Sequence, residues 1–273
     1  MATGNAASYP IKRSAHRSWA MVRLQAALDR LSRYPLICAV LSVLGFAFLG
    51  PIAAIVIVGT ILDHEYAHRF MMVRLGYRPG PVRLLPMLGA YVRAGRPMLR
   101  SADIALIYLA GPLTGILSAE AAAYVASKTL TGGFEQQIFV GASVAIGLNL
   151  FNLLPYEPLD GGLICRALPY PTLLLFPLGL AAWMFSDGLL GTPGGMVAIA
   201  VATAIALQRV NKWRHYAAGL RARMEQGETT ALQAWQASFN VPMFIRLLVA
   251  CVYLLTVIGG AEMFVNLTTL ARL

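Results

Sequence analysis

The chain has 273 residues, of which 58% are apolar and only 12% charged, with a net charge of +10. That composition excludes an intrinsically disordered chain and an ordinary water-soluble enzyme, and it fits a polytopic membrane protein. The positive excess lies in short loops flanking apolar windows rather than on one basic face. The anionic lipid of an inner leaflet is therefore the expected partner, and nucleic acid is not.

Residues 1–34 carry six Lys/Arg and scattered apolar points such as Leu24 and Leu31, the pattern of a loose end followed by a cytosolic surface helix. No secretory signal is expected there, because the polar stretch precedes the first apolar run and no small-residue cleavage site follows it. Six apolar windows come next: 35–62, 104–125, 136–156, 167–186, 188–208 and 247–261. Each has room for at least one helix where a span takes about 20 residues.

The first window is interrupted by Gly50-Pro51, so it is either one span or a hairpin of two short helices. Charge decides between them. A hairpin returns the chain to its starting side and places 20 of the 22 Lys/Arg there, leaving only Lys128 and Arg272 opposite, as the positive-inside rule demands. The fold class predicted is an all-α polytopic membrane protein. It has about seven membrane helices, the first two a short hairpin, and a cytosolic N-terminus.

After the windows, the run from Arg209 to Tyr216 with Arg221 and Arg223 reads as a helix along a basic membrane surface, anchored by Trp213 and Tyr216. The expected organisation is a basic N-terminal segment (1–34), a core of six membrane helices (35–208), an interfacial helix and linker (209–240) and a further membrane helix with a short tail (241–273). Cys38, Cys165 and Cys251 are isolated and lie in or near apolar stretches. They read as small core residues rather than disulfides or ligands.

Inside the first window stands His64-Glu65-Tyr66-Ala67-His68. On an α-helix, positions four apart share a face, so His64 and His68 can grip one metal ion while Glu65 sits beside it to move protons. Ionisable groups at the edge of an apolar segment are costly and are by default functional candidates. A catalytic zinc shell needs a third protein ligand and an open position. His16 and His215 lie in basic interfacial segments and are poor candidates. The polar run from Asn152 to Gly162 is a better source, because Pro155 and Pro158 forbid a continuous helix and free backbone groups, a situation tolerated at membrane depth only beside protein or water. There Asp160 can point a carboxylate inward while Gly161 and Gly162 allow close backbone approach.

These two motifs together resemble the paired signature of the site-2 proteases, the intramembrane zinc metalloproteases. The chain is similar to the bacterial branch that includes the sporulation proteases in its hairpin over 35–62, in Leu84-Leu85-Pro86-Met87-Leu88-Gly89 and in Ala110-Gly111-Pro112-Leu113. The likeness runs from about residue 35 to 225. It implies that His64, His68 and Asp160 bind Zn2+, that Glu65 is the catalytic base, and that Asn152 lies close to the metal to position substrate or stabilise the oxyanion. It also implies a transmembrane protein substrate and the cytoplasmic membrane of a bacterium. The chain departs from the family pattern at Ala90, where a second glycine is usual, and at Gly115, where many members carry asparagine. Neither a PDZ nor a CBS module is found, and residues 241–265 add a terminal span.

Zinc held by two imidazoles and a carboxylate lowers the pKa of bound water toward about 7, and Glu65 would take its proton and return it to the leaving amine. A substrate helix must first be opened, because its peptide bonds are hidden in its own hydrogen-bond ladder. The segment 81–93, with Val82, Leu84, Met87, Tyr91 and Val92 among prolines and glycines, predicts a short bent β-like loop near the site whose edge could pair with extended substrate. Gly89, Ala90 and Tyr91 from this loop, with Pro158 from the second motif, are the candidate substrate contacts. Gly111 and Gly115 read as a small-residue packing face against the metal-bearing helix. Glu120, inside the same apolar helix as Gly111 and Gly115, either lines a water path or reaches the far membrane interface, the second reading being preferred, and Glu157 receives no assigned role. Two alternatives stand beside the protease: a catalytically silent relative that binds membrane partners, and a metal transporter, for which Glu65 would be superfluous. The sequence sets no oligomeric state.

Overall fold

The computed structural model describes residues 30, 32, 34–85, 89–95, 101–156, 159–165, 175–186, 192–229 and 242–271. The expectations for residues 1–29, including His16, therefore lie outside the described residues, as do Pro86 to Leu88, Glu157, Pro158 and the linker beyond residue 229. What is described is mostly helical with one small two-stranded sheet.

Helix α1 (Pro35–Phe46) and a 3₁₀ turn (Ala47–Leu49) lead to Gly50, whose φ of 106° suits a residue without a Cβ. Pro51 then opens helix α2 (Pro51–Arg74), where its missing N–H costs nothing. The hairpin tip is held from outside, because the Ile52 N–H donates to Gln137 Oε1 at 3.1 Å. Helix α2 stops where Gly76 takes a φ of 79° and the Tyr77 N–H reaches back to the Met72 carbonyl at 2.9 Å.

Next comes the predicted β-like loop. Strands β1 (Arg83–Leu85) and β2 (Gly89–Tyr91) pair antiparallel, with Arg83 opposite Tyr91, Leu84 opposite Ala90 and Leu85 opposite Gly89. Buried Leu84 packs with Cys38 and Val58, which ties the hairpin to α1 and α2.

Helices α3 (Ser101–Thr129) and α4 (Gly133–Asn152) pack on α2 and on each other. Their interface is rich in small residues, Ala119, Ala123, Ala142 and Ala145 among them, and this lets the backbones approach closely. A short helix α5 (Asp160–Ile164) leans on α3. Helix α6 (Leu175–Ser186) packs on α7 (Pro193–Glu225), which crosses residues 208 and 209 without a break. Helix α8 (Met243–Ala271) lies against α4 and α3, with Val249, Tyr253 and Val257 in the central core.

Two of the described helices, Ser101–Thr129 and Phe244–Leu270, are long and apolar enough to cross a membrane by length and composition. Among the described residues many large apolar side chains are also exposed, including Leu36, Phe48, Ile55, Leu117, Phe151 and Leu255. Outward apolar surface on this scale is the mark of a protein that meets lipid or a partner rather than water. Cys38 and Cys165 are buried and Cys251 is exposed.

Candidate metal centre

His64 and His68 face the interior from one side of α2 and are 6% and 4% exposed. Each ring is gripped at Nδ1. His64 Nδ1 lies 2.7 Å from Asn149 Oδ1, and His68 Nδ1 lies 2.7 Å from the Ile107 carbonyl oxygen. A carbonyl can only accept, so His68 Nδ1 donates. Asn149 Nδ2 donates to the Ala145 carbonyl at 2.8 Å, which turns Oδ1 toward His64 and makes His64 Nδ1 the donor as well.

With both Nδ1 protons committed, each neutral ring presents a lone pair at Nε2. The two Nε2 atoms stand 2.9 Å apart, and Asp160 Oδ2 lies 3.0 Å from that of His64 and 3.4 Å from that of His68. Asp160 Oδ2 is shielded from solvent and has no hydrogen-bond donor among the described residues. Three electron-rich atoms thus converge in a buried place, and a cation resolves that arrangement. Their spacing is close to the edge of a tetrahedral shell, about 3.3 Å for bonds of about 2.0 Å, and two imidazoles with one carboxylate are ordinary zinc donors. The donor set fits the metal.

The neighbouring backbone is shaped around these rings. A Cβ on Gly111 would fall on the His68 ring and within 2.8 Å of His64 Nε2, and a Cβ on Gly115 would fall on the Asn149 amide. The pair expected to serve helix packing therefore also makes room for the site, and the departure at Gly115 leaves the space that Asn149 fills. A Cβ on Gly161 would collide with the Leu153 carbonyl, so glycine there lets the Asp160 turn lie flat on the chain that precedes it. The Leu153 carbonyl in turn accepts a 2.5 Å hydrogen bond from the buried Tyr253 hydroxyl of α8.

Glu65, between the histidines, has a carboxylate oxygen within 4.8 Å of their ring nitrogens. A cleft of about 530 Å³ opens beside it, lined among others by Phe46, Tyr108, Phe151, Gly89, Ala90 and Tyr91. Asn152, half-buried, lines the same cleft. Pro158 is outside the described residues. The asparagine in contact with a histidine is Asn149, which sequence reasoning passed over. Its one signal was its place a helical turn before Asn152, on the face that the opening of the second motif presents inward.

No protein-family model matches the chain. Over 125 residues, 44% of its length, it is 34% identical to "Putative zinc metalloprotease Rip3" of Mycobacterium tuberculosis, in both the Erdman and the H37Rv strains. The match covers 31% of Rip3, so the chain spans about a third of the length of the curated relatives it matches. The printed name of these relatives, a putative zinc metalloprotease, is in keeping with the resemblance carried by the two polar motifs. The His64, Glu65 and His68 cluster is compatible with a metal site of the kind that the name of these relatives implies for them.

Proposed function

We propose, from the paired polar motifs and the partial likeness to a putative zinc metalloprotease, that the protein is a site-2-type intramembrane zinc metalloendopeptidase, cleaving peptide bonds in or near the transmembrane segments of membrane-protein substrates. The observation that carries the reading is the convergence of His64 Nε2, His68 Nε2 and Asp160 Oδ2 beside Glu65 at the wall of a cleft. His64, His68 and Asp160 would hold the metal, which when bound supplies a Lewis acid for the scissile carbonyl and acidifies a water.

The rest is the work of the chain. Glu65 takes the proton from the attacking water and hands it to the leaving amine. Asn152, which lines the same cleft, donates its amide N–H to the developing oxyanion. The edge of β2 at Gly89, Ala90 and Tyr91 pairs with substrate backbone once a helix has been opened, main-chain bonding that makes modest demands on sequence. Phe46, Tyr108 and Phe151 flank the opened strand and limit the water that reaches it. The topology proposed is the hairpin of α1 and α2 followed by five spans, with the N-terminus and the basic end of α7 on the cytosolic face of a bacterial inner membrane.

Incubating the purified protein with a panel of single-span substrates, with and without chelator, tests the reading. Cleavage that chelator stops and that Glu65→Gln lowers by at least about 10²-fold, with zinc still bound, is the expected result. Zinc-loaded protein that cuts none of the panel would speak for a silent relative. Glu65→Gln protein that still moves metal across a vesicle wall would speak for a transporter.

A further inference from the structure

Each histidine of the centre is held at Nδ1 by a different kind of group. His68 leans on a main-chain carbonyl, that of Ile107 in α3. His64 leans on a side chain, Asn149, which comes from a different helix, is 4% exposed, and is itself locked by its bond to Ala145. A main-chain carbonyl is available whatever the residue, whereas the Asn149 contact depends on one amide in one orientation. That orientation needs room, and the room lies at Gly115, where any Cβ would sit on the amide.

We propose that Asn149 is the positioning residue of the metal centre: through His64 Nδ1 it fixes the tautomer and the ring plane that aim Nε2 at Asp160, and Gly115 is its steric counterpart. The inference rests on the metal-centre reading above. Partners of this kind, one bond beyond the ligands, raise ligand basicity and set ring direction, and their loss costs about 10–100-fold in metal affinity or activity. The two positions address a single volume from opposite helices, so that volume can hold one amide but not two side chains.

The test is zinc affinity of detergent-purified full-length protein, measured by competition with a chromophoric chelator, on samples that remain monodisperse and helical. Asn149→Leu keeps the bulk and removes the acceptor, and is expected to weaken zinc binding about 10–100-fold. Asn149→Asp keeps an acceptor oxygen toward His64 and is expected to bind within about threefold of wild type. A residue that only filled space would give the reverse order, with leucine tolerated and a buried carboxylate not, and that order overturns the proposal. Gly115→Asn alone should weaken zinc by crowding Asn149, while Gly115→Asn combined with Asn149→Ala should bind better than either single variant. A double variant no better than the weaker single one overturns the shared volume. Wild-type protein that holds no zinc overturns the metal-centre reading and this inference with it. Wild-type protein that holds zinc, with Asn149→Leu within twofold of it, overturns this inference alone.

Discussion

His64, His68 and Asn149 stand on helices of 24 and 20 residues and are between 4% and 6% exposed, whereas Gly89, Ala90 and Tyr91 stand on a three-residue strand and are only half-buried. The two walls of one cleft are thus built to different standards. On the metal wall, each imidazole has a fixed partner behind it and glycine-cleared space beside it, so small displacements are resisted. On the hairpin wall, β2 pairs along β1, and its residues Gly89, Ala90 and Tyr91 line the cleft. Under the proposed function, chemistry that needs atoms held to a fraction of an ångström would sit on the rigid wall, and recognition that must accept many backbones on the adaptable one.

This contrast can be broken from either side. The largest effect is expected for Asp160→Ala, which removes one of three converging donors. Purified protein should lose its zinc, read by elemental analysis, and lose cleavage of a single-span reporter altogether. Protein that keeps one equivalent of zinc would show that the carboxylate is not part of the shell. On the other wall, Gly89→Pro with Ala90→Pro deletes two N–H groups and forbids the extended pairing geometry. Cleavage should fall at least about tenfold while zinc content stays at the wild-type level. Unchanged turnover would remove β2 from substrate binding. The smallest effect is expected at the support of the Asp160 turn, where Tyr253→Phe leaves the Leu153 carbonyl without its donor. A loss of about 1–3 kcal/mol in stability is predicted, with a modest drop in zinc affinity. A melting temperature identical to wild type would mean that α8 does not brace the turn.

The parts of the molecule legible in the sequence are those written in side-chain chemistry and in period. The spacing of His64 and His68 placed both on one helix face, Gly50-Pro51 marked the hairpin tip, and the prolines and glycines around residues 81–93 marked the two short strands. What could not be read was the support. The partner of His68 is a backbone carbonyl, which every residue has and no sequence advertises. Asn149 shares the composition of any polar residue near a helix end, and only the meeting of α2, α3 and α4 shows that it backs His64. Gly111 and Gly115 were readable as small residues facing a neighbouring helix. That the neighbour is the candidate site itself, a histidine ring for one and an amide for the other, depends on helix rotation, and the pattern does not encode it.

The account stands on three donor atoms enclosing one zinc ion. X-ray absorption at the zinc edge, on purified full-length protein carrying one equivalent of metal, addresses it without any substrate. The predicted spectrum has a shell of light atoms only, at about 2.0–2.2 Å, with scattering from two imidazoles. Its imidazole contribution should halve in His68→Ala. A sulfur shell near about 2.3 Å, or a spectrum unaltered by His68→Ala, would contradict the account.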